Sequence, residues 1–118
     1  QPQPDLPHFR HFLAEIGWEI VSEEMIKEDG KFYPMMKAVR NEFGKKISYT
    51  EEEAWFGPLL LRECHPVLKE YLLREAAIRE KILAGLLSAP SESAKARLAE
   101  VKEEMELIKS ALKRYESI

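Results

Sequence analysis

Several side chains in this sequence belong to types that do chemistry, yet none is accompanied by the partners that chemistry requires. Cys64 and His65 are adjacent, a thiol beside an imidazole. Such a pair is a nucleophile only when the two groups meet, and neighbours on a helix point away from each other. His8 and His11 stand three apart, which sets both on one helix face, either sharing a ligand or simply lying half exposed. The runs Glu23-Glu24, Glu51-Glu52-Glu53 and Glu103-Glu104 offer paired carboxylates for acid–base work, although a solvated face is the ordinary place for them. One cysteine and three histidines, scattered among loops and helix ends, make no metal-ligand spacing. The five glycines (Gly17, Gly30, Gly44, Gly57, Gly85) are isolated from one another, so no phosphate-cradling loop is formed. For this stretch of chain alone, the expected catalytic, cofactor and metal sets are empty.

The cations are the remaining candidates. Lys45 and Lys46 lie in a polar connection, and Arg62, Lys69, Arg74 and Arg79 follow along a long helical stretch. A lysine or arginine meeting a nucleic-acid phosphate displaces condensed counterions, so a local stripe counts for more than the net charge of -3. Glu63, Glu70, Glu75 and Glu80 interleave with them, and the competing role is salt-bridged helix surface. With 45% hydrophobic and 33% charged residues, the composition is that of a folded protein with long exposed helices. The 118 residues hold one domain, or part of one with an appendage. No apolar run approaches the roughly 20 residues of a membrane span, and no signal-peptide pattern opens the chain. A single cysteine cannot form an intramolecular disulfide, which suits a reducing, cytoplasmic setting.

The elements that must position these residues are legible from local signals. A proline-rich entry, Gln1 to Asp5, ends on a residue suited to cap a helix. Leu6, Phe9, Leu13 and Ile16 recur at helical spacing, with Phe12 widening the stripe, and Gly17 fits the helix end. Asp29-Gly30 between two apolar runs predicts a tight β-hairpin, with Pro34 requiring an edge or a bulge in the second strand. Thr50 and Glu53 form a capping box, Gly57-Pro58 restarts the helix, and His65-Pro66 marks another boundary. Leu98, Val101, Met105, Ile108, Leu112 and Tyr115 keep a 3-4 alternation, the seam of a helix that lies along another. Their expected partners are Leu68, Leu72, Ile78, Ile82 and Leu86. Ser88 to Ser91 is short enough to fold the two helices back antiparallel within one chain.

The order of these motifs resembles the bacterial tRNA (adenine-22) N(1)-methyltransferases. The resemblance rests on Gly17-Trp18-Glu19-Ile20-Val21-Ser22, Glu28-Asp29-Gly30-Lys31-Phe32-Tyr33 and Phe56-Gly57-Pro58-Leu59-Leu60-Leu61-Arg62-Glu63. It implies an α+β fragment: one helix and a β-hairpin from the end of a class I methyltransferase Rossmann-like sheet, followed by an antiparallel coiled-coil hairpin. The division it implies is a Rossmann-like remnant over 1–48 and a helical hairpin domain over 49–118. It also implies S-adenosylmethionine as cofactor of the full-length parent but not of this part, and tRNA as partner. The Lys45, Lys46, Arg62, Lys69, Arg74 and Arg79 side chains are then the candidate tRNA contacts. Phe9, Phe12, Leu13, Trp18, Ile20 and Phe32 exceed what forty residues can bury, so this part looks like one edge of something larger, with an exposed sheet edge able to self-associate. A structural coiled-coil interaction module without RNA binding is the alternative.

Overall fold

The computed structural model describes residues 5–43 and 46–117. They form helix α1 (Leu6–Glu15), strands β1 (Trp18–Glu28) and β2 (Lys31–Arg40), and helices α2 (Glu51–Phe56), α3 (Pro58–Arg62), α4 (Pro66–Ser88) and α5 (Glu92–Lys113). A single 3-10 turn, Arg114–Ser117, follows α5. Most of the proline-rich entry, and Lys45, lie outside the described residues. The chain divides into two compact units, Gln1–Leu68 and Lys69–Ile118, so the division falls inside α4. It comes later than the change of sequence character at Tyr49, because side-chain bonds tie α2 and α3 to α1 and β1.

In the first unit, α1 starts at Asp5, whose carboxylate accepts from the His8 N–H at 3.1 Å. It ends before Gly17, at φ 79°. The strands pair antiparallel, and Asp29 and Gly30 join them at φ 51° and 75°, the two positive values that a type I′ turn demands. Ile20 pairs with Ala38, but Ser22 pairs with Lys37, which leaves Val21 as an extra residue. Such a bulge exchanges the two faces of a strand. Ile20 is buried before it, whereas Glu23 and Met25 are buried after it. The irregularity is therefore on β1 and not at Pro34, which pairs with Met25 in regular register; with two strands, every position is an edge.

The apolar stripe of α1 is divided by this packing. Arg10 and Leu13 are buried, whereas Phe9, Phe12 and Ile16 are each more than two-fifths exposed. Trp18, Ile26, Tyr33, Met35 and Val39 on the strands are exposed to a similar degree.

The second unit is a helical hairpin. Ser91 caps α5 by accepting from the Ala94 N–H at 3.1 Å. Near one end of the pair, the Lys69 ammonium lies 6.0 Å from the centre of the Tyr115 ring; further along, Arg79 Nε donates to Glu104 at 3.0 Å. These two contacts set the helices antiparallel. Val101, Met105, Ile108 and Ala111 are buried on α5 and Tyr115 in the turn that follows it, and Leu72 is fully buried on α4. Ile82 and Leu86 are half-buried, as expected of the seam. Ile78 is not part of it: at 43% exposure it points outward, and Glu75, Ala76 and Arg79 occupy the inward turn instead.

Candidate functional site

The most constrained polar cluster of the first unit is built from residues far apart in sequence. Arg10 is carried inward by α1 and Glu23 by β1, the latter because the Val21 bulge has exchanged the strand's faces. Their ion pair measures 3.2 Å, and both side chains are almost completely buried. Arg10 Nη1 also donates to the carbonyl of Ala54 in α2 at 2.7 Å. On the other side, Glu23 Oε1 accepts from the Leu59 N–H at 2.7 Å and the Leu60 N–H at 3.4 Å, both in the first turn of α3.

Gly57 makes this approach possible. It sits at φ 98°, and a Cβ placed there would stand 2.6 Å from Glu23 Oε2 and 2.9 Å from Oε1. Pro58 has no N–H to leave unpaired at the first helical position. The Phe-Gly-Pro-Leu segment is thus a receptor for one carboxylate, and Arg10, Glu23 and Gly57 form a clasp that holds α1, β1, α2 and α3 together. Its chemistry is structural: a buried charge matched by a counter-charge and backbone donors.

Around the clasp lie weaker, wetter contacts. Tyr49 Oη accepts from the Ile20 N–H at 3.2 Å, and burial raises the phenol's pKa above its ordinary value. The His11 imidazole reaches Glu51 at 2.8 Å across the exposed surface. His65 Nδ1 accepts from the Val67 N–H at 3.2 Å, which leaves Nε2–H to donate to Glu24. The Glu24 carboxyl is held below its usual range, first by the Met25 N–H and then by His65. His8 and His11 do not converge on a shared ligand, since His11 is taken by Glu51. Cys64 sits in a turn at φ 50°, and among the described residues no group of His, Cys, Asp and Glu could hold a metal ion.

The candidate phosphate contacts fall in both units. Lys46 and Arg62 are exposed in the first, whereas Lys69, Arg74 and Arg79 belong to the second. Lys69 is the one over the Tyr115 ring. Arg74 lies 5.5 Å from the Tyr71 ring centre and 3.3 Å from Glu75. Arg79 is held between Glu75 at 2.9 Å and Glu104 at 3.0 Å, with little of its side chain exposed. These carboxylates already satisfy it, and their bonds and charges raise its pKa against the opposing effect of burial.

Among the described residues, two buried charges escape sequence reasoning: Arg10, and Glu23, whose place in the acidic run Glu23-Glu24 suggests a solvated face. The available signal was Arg10, placed at helical spacing between Leu6 and Leu13 on an otherwise apolar stripe.

Residues 1–110 match the model of the family described as tRNA (adenine(22)-N(1))-methyltransferase. Over 85 residues the chain is 32% identical to a Mycoplasma genitalium protein described as a tRNA methyltransferase, a match covering 69% of this chain and 38% of that protein. A solved structure of an uncharacterized protein from Listeria monocytogenes superposes with a TM-score of 0.86 at 27% identity, covering 94% of this chain and 48% of that one. A Streptococcus pneumoniae protein described as a tRNA (m1A22) methyltransferase gives a TM-score of 0.73 at 26% identity, covering 91% and 45%. It has also been solved in complex with S-adenosyl-L-methionine. The chain spans less than half the length of each of these relatives.

Proposed function

The chain belongs to the tRNA (adenine(22)-N(1))-methyltransferase family, and from that premise we propose that it is the carboxy-terminal part of an S-adenosylmethionine-dependent tRNA adenine-N(1) methyltransferase. In this reading the helical hairpin assists tRNA binding, and the methyl donor is held by a preceding half that carries the cofactor loop. The observation that carries the proposal is the family match over 1–110, joined to a span of under half of each relative. The exposed Phe9, Phe12 and Ile16 on α1, with the exposed strand residues, suit packing against that preceding half. The seam of the hairpin is buried within one chain, which favours an RNA-binding strut over a module that pairs with another protein's helix.

The test is methyl transfer from labelled S-adenosylmethionine to tRNA, with calorimetric titration of the methyl donor run in parallel. This chain alone should neither bind the donor nor transfer a methyl group. A protein carrying the same chain behind a family cofactor domain should do both. Donor binding by the 118-residue chain at micromolar affinity would refute the division of labour.

A further inference from the structure

Helix α5 has two unlike flanks. One carries Arg97, Glu100 and Glu104, which are consumed internally: Arg97 meets Glu100 at 3.0 Å and Glu104 at 3.8 Å, and Glu104 also accepts from Arg79. At 100° per residue, Lys95, Lys102, Lys109 and Lys113 fall within about 40° of one another on roughly the opposite side. All four are exposed. Lys95 has Glu92 at 3.6 Å, both ends of that pair being mostly in water. Lys102, Lys109 and Lys113 make no ion pair among the described residues. Glu106, about 20° outside that arc, is the nearest acid on α5. At 1.5 Å per residue the row runs about 27 Å, with neighbours about 6 to 11 Å apart.

We propose that this row, and not Arg74 and Arg79 of α4, is the hairpin's main surface for the sugar–phosphate backbone of a structured RNA. The inference rests on the tRNA-binding reading above and specifies where that binding occurs. The reason is electrostatic. Arg79 and Arg74 already have carboxylates within ion-pair distance, so a phosphate would have to displace them, whereas the α5 lysines lose only water and small counterions. Lysine suits such a role, being a flexible point charge that follows a backbone without demanding a bidentate geometry. A straight row also matches a partner recognised by shape and phosphates, as double-stranded RNA segments are.

The experiment measures binding of fluorescent tRNA to the whole 118-residue chain at several salt concentrations. It compares the unmodified chain, a variant with Lys95, Lys102, Lys109 and Lys113 all changed to Gln, one with all four changed to Arg, and Arg74→Gln. Circular dichroism establishes that each is helical. The quadruple Gln variant should lose affinity by on the order of 100-fold at low salt, and the slope of log affinity against log salt should flatten by about 2 to 3. The Arg variant should retain both, and Arg74→Gln should change affinity less than about threefold. A quadruple Gln variant with parental affinity and slope overturns the assignment to α5 while leaving tRNA binding by the hairpin in place. An unmodified chain that fails to bind tRNA at low salt overturns both.

Discussion

Glu23→Gln should destabilise the first unit by about 3–5 kcal/mol, the usual result of removing one partner from a buried ion pair. The substitution keeps the shape but removes the Glu23 charge that faces the Arg10 guanidinium, which is 1% exposed. It also weakens the acceptor for the Leu59 and Leu60 N–H groups at the start of α3. Trp18 and Trp55 are the two tryptophans of the chain and both lie in the first unit, so their fluorescence during urea unfolding reports on that unit. Arg10→Met combined with Glu23→Gln should be less damaging than the two single changes added together, because no charge is then left stranded. A single-variant loss under about 1 kcal/mol, with additive effects in the double variant, would mean that the pair is solvated in solution.

Gly57→Ala should cost on the order of 3 kcal/mol, through two separable causes. A Cβ at φ 98° is strained by about 1–2 kcal/mol wherever it occurs. Here it would also stand 2.6 Å from Glu23 Oε2. A carboxylate at the end of a free side chain would simply swing aside, but Arg10 and the α3 amides fix this one, and displacing it breaks those bonds. The causes part in the Glu23→Ala background, where the collision vanishes and only the backbone strain of about 1–2 kcal/mol remains. An equal penalty in both backgrounds would show that the carboxylate does not occupy this position.

These two predictions concern what was hardest to see from the residues alone. Signals confined to a few neighbours were legible: the Asp5 cap, the Asp29-Gly30 turn, the Thr50–Glu53 capping box, with its reciprocal bonds of 2.9 and 3.1 Å, and the helix restart at Pro58. Each depends on backbone geometry that a residue's own chemistry dictates. The burial of Glu23 depends instead on one extra residue in β1 that shifts everything after it to the other face. Nothing within Trp18–Glu28 announces where that bulge falls. The same holds for α4, where periodicity favoured Ile78 for the seam but the Arg79–Glu75–Glu104 network took the inward turn. Arg79, read in sequence as a candidate for phosphate, is engaged by carboxylates for a reason visible only once two helices lie side by side. Family resemblance was carried by short motifs, and the structure supplies the physical reason for one: Phe56-Gly57-Pro58-Leu59 receives the Glu23 carboxylate.

Removing the helical hairpin separates a role in tRNA binding from one in cofactor binding or methyl transfer. In a protein that carries this chain behind its family's cofactor-binding half, residues 69–118 are deleted, and affinities for S-adenosylmethionine and for tRNA are measured separately. Donor affinity should stay within about twofold of the undeleted protein, while tRNA affinity should fall by at least on the order of 100-fold and lose most of its salt dependence. Unchanged tRNA affinity and salt slope, in a protein that still folds and binds the donor, would contradict the role in tRNA binding.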